Sequence, residues 1–258
     1  MYRFHRTPFE EIIGNILNIT TKYNAAFTFP TVASTAIQKP ELLREIISAK
    51  SEIAIHGYQH LKYPLISKEE QRNDLRMAVK AYRKLSIPIN GFRAPYNAYN
   101  SSTLLAVDEQ GFAWDAGIGY SRDYNSKTDF FKVTEDNREL RFVCIPLNEL
   151  SDDLLIDEFH YSTRLMTKSL KGKLDWIRES HGVIMFDLHP IRIGQPNYVS
   201  VLEDLISYGT SIGGWFPTVS EAVERKMKKG DWNGHEFCCL LTGDIDNFYF
   251  RDYLRRLT

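Results

Sequence analysis

The sequence predicts an α/β fold, a distorted (β/α) barrel of seven or eight mostly parallel strands. Three observations carry that expectation. Short β-branched or aromatic runs alternate with amphipathic helical stretches, which argues for parallel pairing through crossover connections. Seven or eight such units suit a closed or nearly closed barrel better than an open sheet. Polar residues able to do chemistry recur at the carboxyl ends of the strand-like runs, where barrels of this kind gather their functional groups.

In chain order, the runs that read as strands are 25–29 (AAFTF), 52–56 (EIAIH), 89–95 (INGFRAP), 112–118 (FAWDAGI), 141–147 (RFVCIPL), 182–189 (GVIMFDLH), 214–219 (GWFPTV) and 236–246 (EFCCLLTGDID). Amphipathic stretches at 9–23, 40–50, 67–85, 101–110, 164–180, 199–209 and 219–229 read as helices. The clearest is SKEEQRNDLRMAVKAYRKL: Ser67 is an N-cap, Glu70 completes a capping box, and Leu75, Val79 and Tyr82 share a face.

With 258 residues, 43% of them hydrophobic and 13% aromatic, the chain can bury a large core. No internal repeat, low-complexity tract or long Gly/Ser/Pro linker divides it, so one domain over 1–258 is expected. The net charge of -1, from 32 basic and 33 acidic residues, gives no electrostatic reason to expect nucleic acid or an anionic membrane as partner. Cys144, Cys238 and Cys239 are odd in number, two of them adjacent in an apolar run, and read as buried thiols of a reducing compartment. The N-terminal stretch MYRFHRTPFEEIIGNILN carries charges too often for a signal peptide, and no run approaches the roughly 18 apolar residues of a membrane span. A cytoplasmic location is expected.

Three stretches hold candidate chemistry. In SEIAIHGYQH, His56 and His60 stand four apart, so both imidazoles can reach one cation if the chain turns helically there; the plain alternative is two half-exposed histidines around a glycine turn. In GFRAPYNAYN, Arg93 ends a strand before a proline-stiffened elbow and can orient a carboxylate by a bidentate bond, or simply pair at the surface. In GVIMFDLHP, His189 can serve as general acid or base, or bond a backbone carbonyl at a strand end.

Together these stretches resemble the polysaccharide deacetylases, carbohydrate esterase family 4. HGYQH matches the family's His-[Ser/Thr]-x-x-His motif with glycine at the Ser/Thr position, and RAPY, Arg93 to Tyr96, matches its Arg-x-Pro-Tyr motif. DLHP is similar to its Leu-x-His motif with the spacing changed by one. EQGFAWDAGIGY is similar to Gly-Phe-x-x-Asp-Ser-Ser, with Asp115 at the acidic position, and NAAFTFPTVAS resembles the strand after the family's first helix. The likeness runs from about residue 9 to 220.

The family opens with a strand ending in paired acids, but MYRFHRTPF holds no aspartate. An apolar strand ending in Asp-x-Asp stands instead at the far end, CCLLTGDID, with Asp244 and Asp246. In a closed barrel the first and last strands are neighbours, so the last strand of the chain can fill the first slot; the expectation is a circularly permuted barrel. The alternative is a surface turn at GDID.

The resemblance implies removal of an N-acetyl or O-acetyl group from a sugar with one divalent metal ion, zinc by default. Metal ligands would be His56, His60 and Asp246. Asp244 would be the base, held by Arg93, and the backbone N–H of Tyr96 would meet the oxyanion. His189 would be the acid, kept charged by Asp115 or Asp187. Trp114, Tyr96 and Trp215 are candidates to stack on the sugar or to be core. The expected partner is an acetylated sugar, a sugar nucleotide or a lipid-linked glycan, as in surface-polysaccharide (O-antigen-type) biosynthesis. The rivals are an inactive sugar-binding barrel and an allantoinase-like amide hydrolase.

Overall fold

The computed structural model describes residues 7–119 and 126–246. The first six residues, part of the aspartate-free N-terminus, lie outside the described residues. The strands are β1 (Thr28–Thr31), β2 (Glu52–Ile55), β3 (Gly91–Phe92), β4 (Trp114–Gly119), β5 (Thr134–Glu135), β6 (Arg138–Glu139), β7 (Val143–Pro146), β8 (Val183–Asp187), β9 (Gly214–Trp215) and β10 (Phe237–Thr242). The α-helices are α1 (Phe9–Lys22), α2 (Ala33–Ala36), α3 (Pro40–Ser48), α4 (Lys68–Leu85), α5 (Ser101–Gln110), α6 (Thr163–Glu179), α7 (Pro190–Ile193), α8 (Val199–Ser211) and α9 (Val219–Lys229).

Seven strands pair in the order β7-β4-β3-β2-β1-β10-β8, every neighbouring pair parallel. The two ends approach through a parallel bridge between Leu147 and Met185, so the sheet is a nearly closed barrel. β10, the last strand among the described residues, therefore lies between β1 and β8, with Thr242 opposite Thr28 and five residues in register with Val183–Asp187. The permuted arrangement expected from CCLLTGDID is the arrangement observed. Short β9 pairs with the start of β10, at the opposite end from the aspartates.

Strand alternation sorts the side chains into two layers. Ala54, Trp114, Ala116, Val143, Ile145, Val183, Met185, Cys238 and Leu240 form one buried cluster, the barrel interior. Phe27, Phe29, Ile53, Ile55, Phe92, Ile184, Phe186, Cys239 and Leu241 pack outward against helical residues such as Ile13, Leu43, Leu75, Val107, Leu170 and Leu205. The outer layer explains why α4 keeps Leu75 and Tyr82 buried behind its Ser67–Glu70 capping box, which forms as expected. Val219, Ala222 and Val223 of α9 join the interior cluster and close the barrel's amino end. There half-buried Glu52 accepts hydrogen bonds from Ser220 N, Ser220 Oγ and Thr28 Oγ1.

Of the two alternatives for Trp114, the core is the one observed: it is 0% exposed inside the barrel, and its indole N–H donates to Ser220 Oγ at 3.0 Å. Its ring lies so close to Gly91 that a Cβ there would fall 2.0 Å from it, which is why β3 carries glycine at that place. Trp215 packs against the interior cluster and on β9 stacks with His235, at the barrel's other end and away from the aspartates. Several strands are shorter than the apolar runs suggested; 89–95 contributes only Gly91–Phe92, since the chain enters a Pro95 elbow. The antiparallel hairpin of β5 and β6 had no counterpart in the sequence reading.

Candidate active site and metal centre

Interior parity continues past the carboxyl ends of the strands and delivers the polar residues to one mouth. Ala54 leads to His56, Met185 to Asp187 and His189, Leu240 to Thr242, Asp244 and Asp246. His56 is fixed at both ends: its N–H donates to Thr31 O at 3.1 Å, and its Nδ1 lies 2.9 Å from Arg93 O. His60 packs its ring against that of Tyr96, centroids 4.4 Å apart. Beyond β10 the chain keeps pairing with the end of β1: Ile245 N donates to Pro30 O, and Val32 N to Ile245 O. Thr35 Oγ1 then donates to Asp246 O at 2.7 Å. This continued pairing carries Asp244 and Asp246 to the histidines.

His56, His60 and Asp246 present ligand atoms within 4.8 Å of one another. His56 Nε2 to His60 Nε2 is 3.2 Å, His56 Nε2 to Asp246 Oδ1 is 3.5 Å, and His60 Nε2 to Asp246 Oδ1 is 3.2 Å. A tetrahedral ion with bonds of about 2.0–2.1 Å keeps its donors about 3.3 Å apart, so the three atoms already describe one face of such a site. Arg93 O can only accept, so Nδ1 of His56 is the donor in that contact and Nε2 is the ring atom turned toward the Asp246 oxygen. Two imidazole nitrogens and a carboxylate oxygen brought together in this way form a donor set suited to a cation. These residues fit a divalent metal.

Arg93, fully buried, organises the acid side. Its Nη1 donates to Asp244 Oδ1 at 2.8 Å and Asp187 Oδ1 at 2.9 Å, and its Nη2 to Thr242 Oγ1 at 2.6 Å. The other oxygen of Asp244, Oδ2, lies 3.3 Å from His56 Nε2, beside the His56–His60–Asp246 group. The surface pairing left open for Arg93 is thus excluded.

His189 faces the same cluster: its ligand atoms and those of Asp187 and Asp244 lie within 4.8 Å. Its Nδ1 is 2.8 Å from Asp152 Oδ1, not from a backbone carbonyl. Burial works against the imidazolium, but the carboxylates of Asp187 and Asp152 outweigh it and hold His189 well above the ordinary histidine range. Asp115, expected as a partner of His189, is a correction. Its Oδ1 accepts the N–H groups of Gly117 and Ile118 on its own strand, each at 2.9 Å, and burial pushes its carboxyl up to about 6. Asp187, the other named acid, does stand with His189.

Tyr96 sits at the second position of a single 3₁₀ turn, Pro95–Asn97, where a helical carbonyl cannot take its N–H. Its φ of 61° places a non-glycine residue in the left-handed region, a strain found mostly where function demands a particular backbone direction. The residue is 61% exposed, its ring lies beside that of His60, and it remains a candidate to touch a sugar. The sequence reading missed Asp152. The signal was present, since SDD follows a strand-like run and so obeys the same carboxyl-end rule that singled out His56 and Asp244.

A sequence profile of the polysaccharide deacetylases matches residues 3–114, a stretch that contains His56, His60 and Arg93. Over that stretch the chain is similar to the polysaccharide deacetylases. Among curated proteins, a peptidoglycan deacetylase-like protein of Gibberella zeae is 22% identical over 211 residues, 68% of this chain and 61% of that protein. The chain thus spans under two thirds of that relative's length. Among solved structures, a Mycobacterium smegmatis protein classed as a polysaccharide deacetylase superposes with a TM-score of 0.74 at 21% identity, covering 87% of this chain and 80% of the other. The allantoinase PuuE gives 0.73 at 19% identity over 86% of this chain and 74% of its own. At these identities the likeness to both structures is one of fold.

Proposed function

We propose that this chain is a polysaccharide deacetylase that hydrolyses an acetamido group on a sugar with the help of one divalent metal ion, zinc by preference. The observation that supports this most strongly is the double use of Asp244. One of its oxygens is bound by Arg93, and the other is turned toward the His56–His60–Asp246 group. A carboxylate so held is oriented for a proton transfer beside a metal.

When bound, the cation would be held by His56, His60 and Asp246 and would supply Lewis acidity toward the acetyl oxygen and a lowered pKa for water. The rest falls to the chain. Asp244 Oδ2 takes a proton from the attacking water, whose oxygen bonds to the acetyl carbon. The Tyr96 N–H faces the oxyanion that develops. His189, held by Asp152 through Nδ1, donates its other ring proton to the amide nitrogen as the C–N bond breaks. The products are acetate and a free amine. Tyr96, exposed at the mouth, is placed to lie against the sugar ring.

The substrate in this reading is an acetylated sugar carried on a nucleotide or a lipid during surface-polysaccharide assembly in the cytoplasm. In support, all three cysteines are buried and unbridged, which suits a reducing compartment. Among the described residues, no helix is long and apolar enough to cross a membrane. The test is acetate release from N-acetylglucosamine oligomers and from UDP-N-acetylglucosamine. Release is expected, with loss on chelation and recovery with zinc. Hydrolysis of a ureide such as allantoin, without acetate release from any sugar, would contradict it.

A further inference from the structure

The two imidazoles meet only if residues 56–60 make one particular turn, and the structure shows what holds it. On one edge, the carbonyls of Gly57 and Tyr58 accept the N–H groups of Ala33 and Ser34 at the start of α2, at 2.9 and 3.0 Å. On the other, Asp74 of α4 takes both exposed donors: Tyr58 N–H reaches its Oδ2 at 2.8 Å and Gln59 N–H its Oδ1 at 3.0 Å. The carboxylate is itself fixed by the hydroxyl of wholly buried Tyr63, which donates to Oδ2 at 2.7 Å. Gly57 has a φ of +77°, and a Cβ there would lie 2.7 Å from Gln59 O and 3.0 Å from Asp74 Oδ2. The side chain expected at this place from the resemblance to His-[Ser/Thr]-x-x-His cannot fit this turn.

We propose that Asp74 is a positioning residue of the metal site, clamping the 57–59 backbone from outside in a turn that only glycine at 57 allows. The inference rests on the reading of His56 and His60 as metal ligands. Only a carboxylate can accept two N–H groups and a hydroxyl on two oxygens. Asparagine keeps the volume but turns an NH2 toward one of those donors, leaving it unpaired. The clamp never touches the ion. It sets the distance between the two Nε2 atoms, and groups that orient metal ligands in this way usually change metal affinity by about 10–100-fold.

The experiment measures zinc affinity by chelator competition, the absorption spectrum of the cobalt-substituted protein, and thermal melting, on the full chain. Asp74→Asn is expected to bind zinc about 10–100-fold more weakly and to show an altered cobalt spectrum well below its melting temperature. A purely structural residue would lower the melting temperature and leave both metal readouts of the folded protein unchanged. Gly57→Ser, which restores the residue of the motif, is expected to weaken zinc binding too. If Asp74→Asn does not fold, Tyr63→Phe decides the matter: it removes one donor to the carboxylate and should weaken zinc binding about threefold. Wild-type affinity and spectrum in a folded Asp74→Asn, or in Tyr63→Phe where the first fails to fold, would overturn the clamp while leaving the metal site standing. A wild-type protein that takes up no zinc would overturn the metal site and the clamp together.

Discussion

Asp244→Asn is expected to lower the turnover for deacetylation by about 10²–10⁴-fold while zinc content stays at one ion per chain. The amide has nearly the shape of the carboxylate, but it cannot take a proton at neutral pH. It also sits against Arg93 Nη1 at 2.8 Å, where a carbonyl oxygen can still accept, so the side chain keeps its place. Losing the base without losing the ligand set separates the two aspartates of GDID. Asp246→Ala should empty the metal site, whereas Asp244→Asn should not. Elemental analysis beside acetate release checks both. Full turnover in Asp244→Asn would remove that residue from the chemistry.

The second large effect concerns His189. His189→Ala should lose about 10²–10⁴-fold in rate with an amide substrate. The loss should be much smaller with an O-aryl acetate, whose leaving group needs no proton. The pH profile then tests why His189 is charged. As the acid it must be protonated, and the carboxylates of Asp187 and Asp152 raise its pKa against the pull of burial. Activity should therefore fall as pH rises through that raised value. Asp152→Asn removes one of the raising charges, so the falling limb should move to lower pH; Asp152→Glu should hold it nearer the wild-type position. An unchanged alkaline limb in Asp152→Asn would show that the limb belongs to another group.

How much of this was legible in the sequence follows from periodicity. The outer barrel was readable because a strand buried on both faces is an apolar run, and FCCLL could not stand as an open edge without inviting aggregation. Its place beside β1, rather than at the end of a sheet, followed from barrel closure alone. The end positions of strands were readable too, which is why His56, Arg93, His189, Asp244 and Asp246 arrive at one mouth. What could not be read was direction. Trp114 and Asp115 are adjacent, and their opposite faces decide that one fills the barrel while the other bonds its own backbone. Asp152 obeys the carboxyl-end rule but stands five residues past the strand-like run, in a short helical turn, and its bond to His189 joins residues 37 apart in sequence. Asp74, in a helix otherwise rich in surface charges, gave no sign of facing inward until the turn it clamps was in view.

In this reading His56 and His60, from the first quarter of the chain, share one metal site with Asp246, close to its end. An anomalous difference map from zinc-loaded crystals, recorded across the zinc absorption edge, tests it most directly. The account predicts one strong peak per chain, bonded at about 2.0–2.2 Å to His56 Nε2, His60 Nε2 and an oxygen of Asp246, with Asp244 beside it. A peak bound without Asp246, or no peak near the two histidines, would contradict it.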